Sequence, residues 1–480
     1  LFPSQKNFLN EAISLLARGR LAVLLIVGPW GPIRADQASP QTVQWWLSSE
    51  DLKARLERQT DLYFGFGTGS APSGTRIEID EASIHQSVIG LGSSFEHSTC
   101  HNLSVLPEAQ RERVIQSLVD PDTGIGMSLM RLCIGTSDFA PGPFYTYDDM
   151  PDGQEDPRLE KFSIDRDREY VLPVITSAQR LRPGLRFFAS PWTPPTWMKT
   201  NRRIGGGSLR PECRPYFAEY LVRFLEAYRR EGVEIDAITV QNEPEFGPAA
   251  YPSCLWTARE QRDFIRDHLG PLLKARGLKT TIWAFDHNFN NPGFPATILK
   301  DPAAAQFVSG SAFHLYEGRP EAMSRLHREF PNKAVLFSEG SVYGALGGAQ
   351  IISYFRNWAG SYNAWVTMID RNGKPNISGF HECSPTIVVL DPASLAVEYR
   401  SDFYIYGQFM RFIRPGAVRI GTTATSGGVS NVGFRNPDGS LVVVIANTTK
   451  AQPDILISWR GTRLTTRLTP LSVATLVWKP

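Results

Sequence analysis

The chain has 480 residues, 42% of them apolar, with 11 Trp, 15 Tyr and 27 Phe. That is enough for a sizeable core, with aromatic faces left over to line a site. A formal charge of +2 excludes the strong field of a nucleic-acid binder or of a protein held on an anionic membrane. The basic runs, Arg202-Arg203 and Arg229-Arg230, are only pairs and read as solvated surface.

In chain order, residues 1–38 read as a signal or processing segment. Arg18 and Arg20 precede a short apolar stretch, Leu21 to Val27, followed by Gly28-Pro29 and small residues at Ala35 and Ala38. A basic start, a greasy middle and a small-residue exit match secretory translocation, so the protein is expected to be secreted or periplasmic. A core strand is the alternative reading of Leu21–Val27. The run is too short to cross a bilayer, and no stable membrane insertion is expected. No Met precedes Met127, so an unusual start codon or a missing upstream stretch is expected.

Residues 39–85 are assigned to strands of a side β-sandwich. Within Thr75–Ile84 the run Arg76, Ile77, Glu78, Ile79, Asp80 alternates like a half-exposed strand. From 86 to 416, short apolar strands alternate with longer helical stretches, the mark of repeated βα units around a parallel sheet. Eight strands are predicted: Val88–Phe95, Ser128–Gly135, Leu185–Trp192, Ile235–Glu243, Thr280–Asp286, Val308–Tyr316, Ala334–Glu339 and Asn363–Asp370. Runs such as Ala334-Val335-Leu336-Phe337 are continuously apolar, as strands covered on both faces should be. Between them, Tyr216, Phe217, Tyr220, Leu221, Phe224, Leu225 and Tyr228 trace one helical stripe. Eight such units predict an α/β fold closed as a (β/α)8 TIM barrel.

Arg414-Pro415-Gly416 should stop the last helix, Asp402–Ile413. Residues 417–480 then turn to short β segments. Val429–Phe434 and Leu441–Ala446, joined through Asn436-Pro437-Asp438-Gly439, read as a hairpin. Strand-rich stretches on both flanks of one barrel predict a single small β-sandwich built from both termini.

In a parallel barrel, chemistry gathers where the strands end at their carboxyl side. Two acids end strands there. Gln241-Asn242-Glu243-Pro244 closes the fourth strand, with Pro244 lacking a donor and holding Glu243 extended. Strict alternation would send Asn242 and Glu243 to opposite faces, so a bulge or twist is expected if both reach the mouth. Val335-Leu336-Phe337-Ser338-Glu339 delivers one acid to the end of the seventh strand. Either Glu alone would pass for an exposed strand-end carboxylate. Together, from the fourth and seventh strands, they point across one pocket. A carboxylate pair is what glycosidic cleavage needs: one protonates the departing oxygen, and the other attacks the anomeric carbon or activates water.

The five Cys (100, 133, 213, 254, 383) form no CxxC or metal spacing, and the odd count rules out complete internal pairing. Cys213 and Cys254 are the pair an oxidising compartment is open to bridging. Gly65-Phe66-Gly67-Thr68-Gly69 lacks the following helix a dinucleotide site requires. Gly205-Gly206-Gly207-Ser208 has no phosphate-loop Lys, and His381-Glu382-Cys383 has no further ligands at metal spacing. There is no G-x-S-x-G elbow.

Several stretches resemble glycoside hydrolase family 30, in the branch containing glucosylceramidases and fungal endo-β-1,6-glucanases. They are Arg131 to Phe139, Tyr145 to Asp149, Ala189 to Asn201 (ASPWTPPTWMKTN), Gln241 to Pro244 and Ser338-Glu339. The resemblance implies a barrel with a side sandwich, Glu243 as general acid/base and Glu339 as nucleophile. It also implies that Asn242 holds the sugar 2-hydroxyl, that Asp138 and Trp192 line the glycosyl pocket, and that Trp365 floors it. By the same resemblance His314 and Tyr316 stand beside the nucleophile and Arg131 supports it electrostatically. Without it, Trp192 and Trp365 would read as core aromatics, Arg131 as the partner of a strand-end acid, and His314 as a satisfied core histidine. Asp286, ending the fifth strand, reads equally as a sugar ligand or a turn cap.

The departures fall at pocket-rim positions. Ala364 and Val366 flank Trp365 where glucosylceramidases carry Asp and Asn, Gly340-Ser341 replaces Ala-Cys, and Ser378 to Cys383 differs from the family loop. The leading expectation is a retaining, exo-acting β-glucosidase of glucosylceramidase type. An endo-β-1,6-glucanase with a more open cleft and a non-catalytic glycan-binding barrel are the alternatives. The expected partner is a β-linked glucoside or glucan; no nucleic acid, cofactor or metal is expected.

Overall fold

The computed structural model describes residues 41–65, 74–377 and 386–480. The segment 18–38, most of the Gly65–Gly69 turn and the stretch Ser378–Cys383 lie outside the described residues. Six parallel strands hydrogen-bond in chain order: Leu129–Ile134, Arg186–Pro191, Ala237–Thr239, Thr281–Asn288, Val308–His314 and Ala334–Glu339. Gly90–Ser93 and Ser361–Ala364 pair with each other, also parallel. Single bridges, Ser94 to Arg131 and Val335 to Ala359, join that pair to both edges of the six. The ring closes, and the fold is a (β/α)8 barrel.

Two predicted strands, the fourth and the eighth, end well short of the expected position. The fourth holds ladder geometry only over Ala237–Thr239, because Val240–Glu243 already turn outward over the mouth. The eighth stops at Ala364; Met368–Asp370 instead pairs with Val388–Leu390 in a separate three-stranded sheet that includes Val397–Tyr399. The helix expected around the Tyr216–Tyr228 stripe spans Arg214–Arg230 and buries Phe217, Tyr220, Leu221, Phe224, Leu225 and Tyr228.

The sandwich draws on both flanks of the barrel. Gln41–Ser49 lies antiparallel to Ser472–Trp478, which is followed across the sheet by Leu441–Asn447, Val429–Arg435, Val418–Thr422 and Thr75–Ser87. Thr75–Ser87 is 13 residues long, so its first part also pairs with Asp454–Trp459, which continues to Thr462–Arg467. Leu62–Phe64 pairs with Gln41–Val43, and a Gly65–Arg463 bridge brings the far edge back. The sheet therefore folds over one apolar core that includes Val43, Phe64, Ile77, Ile445, Ile457, Leu476, Trp459 and Trp478.

Barrel and sandwich are fastened through the helices that follow the last two barrel strands, Gly344–Arg356 and Ser401–Met410. Gly348 permits a close approach: a Cβ there would stand 2.5 Å from Val473. Glu50 of the sandwich accepts from the Ala345 amide at the start of the first helix, 2.7 Å away, next to the loop that follows Glu339.

The four described cysteines, Cys100, Cys133, Cys213 and Cys254, are buried free thiols, so the Cys213–Cys254 bridge is not formed. Burial raises each of their pKa values, which keeps them as protonated, apolar fillers. Among the described residues, no helix is long and apolar enough to cross a membrane.

Candidate active site

The barrel interior is built in layers by the two-residue period of its strands. Leu129, Phe188, Ala237, Trp283, Ala312 and Leu336, one from each of six neighbouring strands, pack into a single apolar cluster. Two residues further along, the same inward positions are Arg131, Ser190, Thr239, His314 and Ser338, all buried. The fifth strand needs one residue more. Phe285 and Asp286 both have positive φ, 76° and 67°, and the ladder to the sixth strand slips there. This bulge turns Asp286, rather than Phe285, into the polar layer. The Phe285 amide donates instead to Gln261 Oε1 at 2.9 Å, from the helix Ala258–Phe264.

Asp286 is the hub. Its Oδ2 accepts from Arg131 Nη2, Ser190 Oγ and Thr239 Oγ1, each at 2.8 Å. Its Oδ1 accepts from His314 Nε2 at 2.9 Å and Ser338 Oγ at 2.7 Å. Burial alone would raise this carboxyl, but the charges of Arg131 and His314 and the hydroxyl donors hold it far below the usual carboxylate range. Arg131 in turn donates to Glu339 Oε2, and its Nη2 reaches Asn242 Oδ1 at 2.8 Å. Its guanidinium carbon lies 4.9 Å from the Trp192 ring centre and 5.6 Å from that of Trp365. Those two rings stack, with centroids 5.1 Å apart.

His314 is buried between acids. Burial would lower its pKa, but Glu339 and Asp286 prevail and hold it up to about 9, so the ring is an imidazolium near neutrality. Its second nitrogen, Nδ1, lies 3.1 Å from Glu243 Oε1 and donates to it. Glu243 has φ +48°, and its amide donates to Asp286 O at 3.0 Å. That left-handed turn is the distortion the alternation argument required. It sends Glu243 over the mouth while Asn242 stays bonded to Arg131. Across from it, Glu339 is 4% exposed, and Tyr316 donates its hydroxyl to Glu339 Oε1 at 2.8 Å. One carboxylate oxygen of Glu243, one of Glu339 and a His314 nitrogen all lie within 4.8 Å of one another.

Above this layer opens a cavity of about 800 Å³. Asp138, Trp192, Asn242, Glu243, Tyr316, Glu339 and Trp365 all line it. Arg131 and His314 do not; they lie below its floor, fully buried, and touch the carboxylates instead. Asp138 faces the cavity; burial and the nearby Glu339 charge push its pKa well up. The Tyr316 ring, 49% exposed, forms part of the rim with Phe246 and Tyr343.

The chain has matches among known proteins. The family model for the glycosyl hydrolase family 30 TIM-barrel domain matches residues 88–413, and that for the family's beta sandwich domain matches residues 416–476. The chain belongs to glycoside hydrolase family 30. Among family 30 relatives, the endo-1,6-beta-D-glucanase of Neurospora crassa is 32% identical over 84% of this chain and 88% of its own. The putative glucosylceramidase 4 of Caenorhabditis elegans is 31% identical over 79% of this chain and 78% of its own. Of solved structures, the endo-beta1,6-glucanase BT3312 superposes with a TM-score of 0.82 at 29% identity, covering 91% of this chain and 99% of its own. SrfJ from Salmonella typhimurium gives 0.85 at 26% identity, covering 92% and 100%.

The sequence pointed to the two acids and, through the family resemblance, to Arg131, His314 and Tyr316 beside them, but not to the hydroxyl donors around Asp286. Ser190, Thr239 and Ser338 were visible as polar residues two positions beyond the apolar inward set. Gln261 and the bulge it supports had no local signal, since the residues of Trp283–Asp286 do not announce left-handed backbone.

Proposed function

We propose that this family 30 hydrolase is a retaining β-glycosidase that cuts β-1,6-linked glucan internally. The observation that carries the mechanism is the separation of the two acids: carboxylate oxygens within 4.8 Å of one another. That fits the roughly 5–5.5 Å spacing of retaining enzymes and falls short of the roughly 6.5–9.5 Å that inverting ones need for a water. Glu339, held by Arg131 and Tyr316 as an oriented carboxylate, attacks the anomeric carbon as the glycosidic bond breaks. The Glu243 carboxylic acid gives its proton to the departing oxygen. Water then attacks the glycosyl-enzyme ester, with Glu243 taking back the proton and Glu339 leaving. Asn242, pinned by Arg131 through its Oδ1, presents its amide N–H groups to the sugar.

Two observations favour internal cutting of a glucan. The cavity, at about 800 Å³, lies in the upper part of the ~300–1,000 Å³ range of ligand pockets and has an exposed aromatic rim at Phe246, Tyr316 and Tyr343. Ala364 and Val366, beside the floor ring Trp365, are buried and apolar, so neither offers an acidic or amide partner for sugar hydroxyls. Two relatives named as endo-1,6-beta-glucanases, at 32% and 29% identity, support the same reading. The exo-acting reading of glucosylceramidase type uses the same acids and has the support of the glucosylceramidase relatives.

Digestion of pustulan, a β-1,6-glucan, followed by early-time NMR and sizing of the products tests this. Oligomers of many lengths with new β-configured reducing ends are expected. An α-configured first product would overturn the retaining mechanism, and glucose as the sole early product would give the exo reading.

A further inference from the structure

The site described so far leaves His287, a polar side chain on the cavity wall, without a task. We propose that His287 receives a hydroxyl of the leaving-group sugar beside Glu243, and so sets which glycosyl leaving groups the enzyme accepts. This rests on the retaining glucanase reading above and deepens it.

His287 follows the Phe285–Asp286 bulge, so the distortion that turns Asp286 down into the polar layer leaves His287 on the cavity wall. Its Nε2 lies 3.9 Å from Glu243 Oε1, too far for a hydrogen bond. Among the described residues, neither ring nitrogen has a hydrogen-bond partner. Nδ1 is buried, whereas Nε2 is not among the buried atoms lacking a partner. A buried lone pair without a partner is tolerated better than a buried N–H, which places the proton on Nε2. That N–H then faces the cavity next to the acid/base. Burial and the neighbouring His314 charge lower the pKa of His287 to about 3, so the ring stays neutral and does not compete with Glu243 for its proton.

The side of the pocket follows from topology. Asp138, Trp192 and Trp365 come from the second, third and eighth strands, on one side of the line from Glu243 to Glu339. His287 comes from the fifth, on the other side, with Asn288, Asn290 and Glu317 nearby along the wall. If the stacked rings hold the sugar that is attacked, the departing sugar lies against His287. A hydroxyl placed between Nε2–H and the Glu243 carboxyl would register the departing oxygen on the proton it must receive. His287 forms no bond to the substrate's reacting atoms; it orients the sugar that leaves.

The test compares two substrates with the same glycosyl donor. Gentiotriose offers glucose as leaving group, and 2,4-dinitrophenyl β-gentiobioside offers a phenolate that needs little orientation. The reading is the ratio of their kcat/KM values within one preparation, which cancels any loss of folded enzyme. His287→Ala is expected to lower the gentiotriose-to-aryl ratio by about five- to tenfold, the worth of one neutral hydrogen bond. His287→Gln, which returns an N–H at similar reach, is expected to restore most of it. A ratio unchanged in His287→Ala, while wild type cleaves both substrates, would overturn this proposal alone. Wild type that cleaves neither would overturn the glucanase reading and this one together.

Discussion

In the β-sandwich the inward residues of neighbouring strands are Leu441, Val443 and Ile445 against Ala474 and Leu476, with Phe64, Trp459 and Trp478 filling the gap between layers. At the top of the barrel the inward positions hold Arg131, Ser190, Thr239, Asp286, His314 and Ser338, equally buried. Both regions use the same strand period, yet the first rests on apolar area and the second on charges that neutralise one another. Apolar contacts tolerate small changes one at a time, because each atom contributes little. A buried charge network does not, because removing one member leaves its partners unpaired in a medium that cannot solvate them. The contrast implies that single substitutions in the barrel mouth strike function, whereas those in the sandwich strike only stability.

The largest expected effect is at Glu339. Glu339→Ala should lower kcat on any accepted β-glucoside by about 10⁴-fold or more, with the circular dichroism of the folded enzyme retained. Glu243→Ala should cost about 10²–10⁴-fold with sugar leaving groups and much less with dinitrophenolate. Azide should then speed the variant and yield a β-glycosyl azide; an α-azide would contradict a glycosyl-enzyme formed on Glu339.

Asp286 tests the network rather than the chemistry. Asp286→Ala leaves Arg131 and His314 without their shared carboxylate and should reduce unfolding free energy by about 3–5 kcal/mol, read by urea denaturation, along with a marked fall in kcat. A loss confined to stability, with kcat intact, would show that the hub does not position the catalytic groups. A pH series sharpens the point. His314 has a folded pKa of about 9, above its unfolded 6.5. The stabilisation it brings is complete below about pH 6.5 and is lost as pH rises through 9. Denaturation midpoints should decline over that interval, and in Asp286→Asn the decline should begin at lower pH, because one of the carboxylates holding the ring charged is gone.

The smallest effect on turnover belongs to the sandwich. Leu476→Ala, in a fully buried position, should cost about 2–5 kcal/mol of stability while leaving kcat per folded molecule unchanged. A selective fall in kcat would mean that the sandwich acts on the mouth through the helix Gly344–Arg356, which Glu50 caps.

Local pattern carried much of this far. Short apolar segments alternating with helical stretches placed seven barrel strands and part of the eighth, alternation placed most of Thr75–Ser87, and the turn residues at 436–439 placed the hairpin, because each pattern reflects which side of an element meets water. Acids at strand ends located Glu243 and Glu339 by the same logic. The eighth strand ran too long in that reading because Met368–Asp370 is as apolar as a barrel strand, and composition does not say which sheet a strand joins.

The order of strands and helices, the division between barrel and sandwich and the two strand-end acids were determined by the sequence itself, since burial and turn chemistry act over a few residues. Tertiary structure alone decided that Asp286 rather than Phe285 faces inward, that His314 is charged while His287 is neutral, and that Ser190, Thr239 and Ser338 converge on Asp286. Each of these depends on groups from four or more strands meeting in one low-dielectric space. Their charges and hydrogen bonds are set by partners tens to hundreds of residues away, and no local window contains them.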